Sequence, residues 1–162
     1  MTVTTSQDEQ LGAAIGAIPS GLFIVTSQQN GKTATMLASW VQQAGFNPPS
    51  VTIIVGKGRP IESSLTVGSP VVINIAEKGN GKIIGHFAKG FAPDVDPFDG
   101  LETATAPSGQ PYLTEAIAYL EATVTGSLDA GDHSVILATI TAGDRLRDGE
   151  PAIHTRKNGF KY

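Results

Sequence analysis

Apolar residues along this chain fall into short runs of strand length, separated by turns rich in Gly, Pro, Asn and Asp. Residues 21–28 hold Leu22-Phe-Ile-Val25, β-branched and aromatic as strands prefer. Asn30-Gly31 follows. Both residues tolerate positive φ, so a tight type I′ hairpin is expected, with a second strand returning through residues 33–38. Residues 50–55 and 70–76 are continuous apolar runs that also read as strands. The second half of 112–128 alternates, with Tyr119, Glu121, Thr123 and Thr125 between Leu120, Ala122 and Val124. Residues 129–132 read as a turn before a strand over 133–141, and 142–151 as a loop. Short strands over 152–155 and 159–162 complete the set.

Helical spacing is confined to three short stretches. Asp8 can cap a helix with Leu11, Ala14, Ile15 and Ile18 on one stripe. Pro60 can open a second with Ile61, Ser64 and Leu65, closed by Gly68. A third starts at Asn80 or Gly81, runs through Lys89 and ends at Gly90. Residues 91–111 are too long and polar for a plain connection, so a functional flap, an excursion or a mobile loop is expected. Residues 1–8 read as a flexible tail or cut linker, and 9–162 as a single domain. Hairpins dominate and no βαβ alternation runs along the chain. The expectation is a mainly β fold, a largely antiparallel barrel.

Residues 36–49 break the pattern. The segment starts like a strand, holds the only tryptophan, Trp40, and ends in Pro48-Pro49, which should interrupt pairing. Thr33, Thr35, Ser39 and Gln42 interrupt an otherwise apolar stretch. They suit an exposed strand face. They equally suit a strand that leaves the sheet to hydrogen-bond a flat heteroaromatic ligand. Trp40 is correspondingly core filler or ligand wall.

Composition removes most other chemistries. The 162 residues carry a net charge of −4, so no basic field points to nucleic acid or anionic lipid. There is no cysteine for a disulfide, thiolate catalysis or iron–sulfur ligation. His86, His133 and His154 lack HxH or HExxH spacing, so no metal is expected. No apolar run approaches the ~20 residues of a membrane span, and no secretory signal opens the chain. A soluble cytoplasmic domain is the expectation. No nucleophile elbow, Walker motif or paired carboxylate stands out. A chain without catalytic side chains of its own can borrow chemistry from a cofactor.

Three sets of residues remain. Lys57 and Arg59 follow a strand among glycines and precede a helix start, which suits either a solvated basic turn or an anion site. Lys89 is either a cation favouring a helix C-terminus or a second cation for a ligand. Gly131-Asp132-His133 is either a turn with a surface histidine or an imidazole at a cleft mouth.

Taken in order, Gly21-Leu-Phe-Ile-Val-Thr26 with its Asn-Gly hairpin, Ala38-Ser-Trp-Val-x-Gln-x-Gly-Phe-Asn-Pro-Pro49, Phe87-Ala-Lys-Gly-Phe91 and Gly131-Asp-His133 resemble the flavin reductase-like family. Its fold is the FMN-binding Greek-key split β-barrel. The wording of residues 37–49 resembles the C-terminal flavin reductase module of flavodiiron proteins from oxygenic phototrophs. There it follows a diiron domain and a flavodoxin-like domain, so this chain would be an excised module. The resemblance implies bound FMN (sometimes FAD), hydride transfer from NADH or NADPH, onward electron delivery and a homodimer. It implies that Thr35, Met36, Leu37, Ala38, Ser39 and Trp40 line the isoalloxazine and ribityl chain. Ser39, Lys57, Arg59 and Lys89 would face the phosphate, and His133 would sit by the nicotinamide or flavin. Where many members have Ser-Phe, this chain has Ser39-Trp40. Two rivals stay open: an FMN relay domain reduced by a protein donor, and a non-enzymatic β-barrel docking module.

Overall fold

Strand β2 (Phe23–Gln29) sends Ile24 to one face and Val25 to the other, and both are fully buried. Successive strand side chains point to opposite faces, so this strand has a core on each side. The computed structural model describes residues 5–162. In it, helix α1 (Thr5–Gly16) precedes a two-residue strand β1 (Ser20–Gly21) and β2. The remaining strands are β3 (Lys32–Ala38), β4 (Val41–Phe46), β5 (Pro49–Gly56), β6 (Pro70–Ile75), β7 (Thr103–Thr105), β8 (Pro111–Leu113), β9 (Ala118–Asp129), β10 (His133–Arg145) and β11 (Ile153–His154). Helix α2 covers Gly81–Ala88, and one 3-10 turn covers Glu62–Ser64.

The main sheet has seven strands in the order β3-β2-β6-β9-β10-β5-β4, every neighbouring pair antiparallel. This is the expected mainly β barrel. The hairpin between β2 and β3 turns on Asn30 and Gly31 at φ 53° and 74°, the left-handed values its turn type demands. The barrel interior holds Val25, Val51, Ile53, Val55, Val71, Ile73 and Ile136, all buried. Burying each such side chain contributes about 1.5–3 kcal/mol. A second core lies outside the sheet, where Ile24 meets Ile83 and Phe87 of α2, with Phe98 and Leu113. Helix α2 begins at Gly81, one of the two expected starts, and Asn80 caps it, its side chain accepting from Ile83 N.

Several expectations are corrected. Helix α1 begins at Thr5, ahead of Asp8, so residues 5–8 are helical and only 1–4 lie outside the described residues. Of the expected stripe, Leu11, Ala14 and Ile18 are exposed; Ile15 packs, together with Gly12 and Gly16, against residues 156–160. Pro48-Pro49 does not interrupt pairing: Phe46 pairs with Pro49, and Asn47-Pro48 forms the tip of the β4–β5 hairpin. Strand β10 continues to Arg145, past the expected end at 141. Residues 159–162 form no strand.

The 91–111 excursion is ordered by polar anchors. Asn74, fully buried, donates to Ile24 O at 3.0 Å and accepts from Leu113 N at 2.8 Å. The carboxylate of Glu121 accepts from Ser108 N at 3.2 Å and from the Ser108 hydroxyl. Gln110 donates to Pro70 O at 2.9 Å. Buried polar groups fixed this way specify one geometry, because leaving any of them unpaired is costly.

Candidate functional site

The segment 36–49 is two strands with a crossing between them. β3 lies at one edge of the main sheet and β4 at the other, so Ser39-Trp40 carries the chain from edge to edge. Trp40 O accepts from Ile54 N at 3.0 Å, which ties the crossing to β5. β3 pairs only with β2. Among the described residues, no backbone hydrogen bond satisfies the outer edge of β3.

A cleft of about 390 Å³ opens along that edge. Met36, Leu37, Ala38, Ser39 and Trp40 form one wall; Leu22, Ile54 and Ile84 add apolar surface, and Arg59 and Tyr162 close it. Gly56 also lines it, and a Cβ there would stand 3.6 Å from Arg59 Cγ and 3.8 Å from His133 Nε2. A second, outer cleft of about 380 Å³ shares Trp40, Ile54 and Tyr162, and adds Asp132, His133 and Arg156.

Strand pairing positions the histidine: His133 opens β10 directly opposite Gly56. Its Nδ1 lies 2.7 Å from Asp132 Oδ1, and its Nε2 is hydrogen-bonded to the Tyr162 hydroxyl. The bond to His133 holds the Asp132 carboxyl below the usual carboxylate range. Trp40 stands at the centre of an aromatic group, 5.0 Å from the His133 ring and 5.5 Å from that of Tyr162. The Arg156 guanidinium lies 5.1 Å from the Trp40 ring centroid, and that of Arg59 5.5 Å from the Tyr162 ring centroid. Both distances suit cation–π contact.

Of the residues singled out in the sequence, Met36, Leu37, Ala38, Ser39, Trp40 and Arg59 come together in the inner cleft. His133 lies in the outer cleft, joined to the inner one through Trp40. Thr35 lines a separate groove of about 420 Å³, between the β2–β3 hairpin and residues 90–97. Lys57 lines none of the three clefts; its Nζ is 2.8 Å from Asp129 Oδ2. That bond, more than any other contact, holds the Asp129 carboxyl below its usual range. Lys89 is exposed at the end of α2, between Ala88 of the inner cleft and Gly90 of the groove. Sequence reasoning missed Arg156, His154 and Tyr162. Among the described residues, no group of acidic and histidine side chains is gathered to hold a metal ion, and no helix is long and apolar enough to cross a membrane.

The chain is a seven-stranded antiparallel split barrel with a cleft along an open strand edge. The chain belongs to the flavin reductase like domain family, whose model matches residues 15–161. It is similar to diflavin flavoprotein A 1 of Synechocystis sp., with 45% identity over 159 residues, 97% of this chain and 28% of that protein. The chain therefore spans less than a third of the length of that relative. In structure it is similar to the NADH:FAD oxidoreductase SgcE6 of Streptomyces globisporus C-1027, at 27% identity and a TM-score of 0.84, over 96% of this chain and 92% of that one. The same oxidoreductase in complex with NAD and FAD fragments matches at 26% identity and a TM-score of 0.80, with the same coverage.

The residues present fit a flavin. The inner cleft is within the size range of ligand sites, about 300–1,000 Å³. Its walls are apolar, the β3 edge offers unpaired N–H and C=O groups to a heterocycle, and Arg59 has no carboxylate partner among the described residues.

Proposed function

We propose that this domain binds a flavin, FMN first and FAD as the alternative, in the inner cleft, and that NADH or NADPH enters through the outer cleft. Bound there, the flavin would accept a hydride from the nicotinamide and release electrons one or two at a time. The protein's part is binding and orientation. The open edge of β3 over Met36–Ala38 carries the reading, because its unpaired N–H and C=O groups could hydrogen-bond a flat heterocycle, and Leu22, Ile54 and Ile84 would supply apolar surface for it. Arg59 supplies charge for a phosphate. Trp40 walls the inner cleft from the outer one. Asp132 holds the His133 imidazole at the mouth, where a reduced nicotinamide would arrive.

Similarity to SgcE6, named for its use of NADH and FAD, supports the donor. Similarity to a diflavin flavoprotein more than three times as long supports onward delivery to other domains of a parent protein, a diiron and a flavodoxin-like domain. A cytoplasmic homodimer belongs to the same reading. Exposed Leu128 and Leu137 on β9 and β10 offer apolar surface for it. Titrating the purified domain with FMN, then mixing it with excess NADH or NADPH in a stopped-flow cell, tests the proposal. Flavin uptake followed by loss of its visible absorbance is expected. Uptake without bleaching would leave a relay domain reduced by a protein donor.

A further inference from the structure

Tyr162 lines both clefts, and with Trp40 and Ile54 it forms their common wall. Its ring packs on Trp40 and under the Arg59 guanidinium, and its hydroxyl bonds His133. A nicotinamide in the outer cleft can touch a flavin in the inner cleft only across this junction. We propose that Tyr162 is a displaceable aromatic gate, whose ring occupies the place a nicotinamide must take. The proposal rests on the flavin reading above.

The way Tyr162 is held suits displacement. Residues 156–162 form a strap that joins no sheet. It is fastened to α1 at two points, Arg156 N to Gly16 O at 2.8 Å and Gly159 N to Gly12 O at 2.7 Å. Beyond Gly159 the backbone bonds among the described residues lie within the strap: Phe160 N donates to Asn158 Oδ1, and Lys161 O accepts from Arg156. Tyr162 itself is 67% exposed in spite of its contacts. Exposed aromatic, cation–π and hydrogen-bond contacts are each worth only a factor of a few in an equilibrium constant. A flat nicotinamide ring, neutral when reduced and cationic when oxidised, could replace the phenol on Trp40. When a competent state is populated a fraction of the time, apparent affinity falls by that fraction. The gate thus tunes cosubstrate affinity without touching the hydride step.

The test uses NAD⁺ and NADP⁺, which bind without reducing the flavin, read through the fluorescence of Trp40 in the FMN-loaded domain. Tyr162→Ala should tighten binding roughly tenfold, and Tyr162→Phe, which keeps the ring and loses the His133 bond, should fall between it and the parent. Gly159→Ala keeps Tyr162 but sets a Cβ 2.3 Å from Ile15 Cβ, so the strap must lift. It should move binding in the same direction as Tyr162→Ala. Binding by Tyr162→Ala and Gly159→Ala no tighter than the parent's, with FMN uptake intact, overturns the gate and leaves the flavin reading standing. Failure of the parent itself to take up FMN overturns both.

Discussion

His133 Nδ1 lies 2.7 Å from Asp132 Oδ1, a carboxylate oxygen that can only accept, so the contact places a ring proton on Nδ1. With Nδ1 protonated, neutral His133 presents Nε2 as an acceptor towards the clefts, where the Tyr162 hydroxyl donates to it. Asp132→Asn loses the charge that orients the ring. It should slow bleaching of bound flavin by NAD(P)H about tenfold or more, as loss of an orienting carboxylate does elsewhere. FMN affinity should hold within a few-fold, because neither residue lines the inner cleft. Parallel stopped-flow and FMN titrations measure the two; equal losses in both would contradict this division of labour.

The cations of residues 57–59 should separate in function. Arg59 faces the inner cleft, whereas Lys57 is engaged with Asp129. Arg59→Ala should cost about 2 kcal/mol of FMN binding, on the scale of a charge-assisted hydrogen bond, or roughly thirtyfold in Kd. Lys57→Ala should stay within about threefold. Quenching of FMN fluorescence on binding reads both constants, and similar losses from the two variants would refute the assignment.

Acid stability follows from Asp129 and Asp132, both depressed in the folded state, by the Lys57 and His133 bonds respectively. An unfolded carboxyl titrates near about 3.9. Between that value and the folded one, the unfolded chain binds more protons, so stability falls as pH falls. The contribution is complete above the unfolded value and is lost as pH drops through the folded values. Thermal melts from pH 6 down to pH 3 should show a shallower acid loss for Asp129→Asn/Asp132→Asn than for the parent. Both side chains are exposed, so the difference is small. A steeper loss in the variant would reverse the sign and refute it.

Asn74 anchors the 91–111 excursion to the sheet through two backbone partners. Asn74→Ala strips both and should destabilise the fold by roughly 2 kcal/mol or more. In a chain of this size that lowers Tm by about 4–8 °C. Asn74→Asp can still accept from Leu113 N but sets a carboxylate against Ile24 O, so it should do no better. Differential scanning calorimetry decides the matter; an unchanged Tm for the alanine variant would mean the excursion holds itself in place.

Local chemistry announced what local rules govern. The Asn30-Gly31 turn, the start of α2 at Asn80 or Gly81 and the alternation through β9 were all readable in sequence, because each is set by residues within a few positions of one another. The wall formed by Met36–Trp40 was readable as an anomaly, since small polar residues interrupted an apolar strand. Its meaning was not, because Ser39-Trp40 joins opposite edges of a sheet whose order only the fold supplies. Tyr162 and Arg156 were missed for a related reason. Gly159-Phe-Lys-Tyr162 looks like a closing strand until one sees Gly159 N spent on Gly12 O of α1 and residues 160–161 bonded back to Asn158 and Arg156. The faint signal was in α1 itself, where Gly12 and Gly16, one helical turn apart, leave a bare face: a Cβ at Gly16 would lie 2.1 Å from Arg156 O.

The outer edge of β3 has a bearing on handling and turnover. An unpaired strand edge is a template on which another chain can add its own strand. A flavin ring lying along Met36–Ser39, as proposed, would block that template as a neighbouring strand does, and the cofactor would double as an edge guard. Flavin-stripped protein should therefore lose monodispersity on storage faster than loaded protein, and flavin supply during synthesis would govern how much of it survives to work.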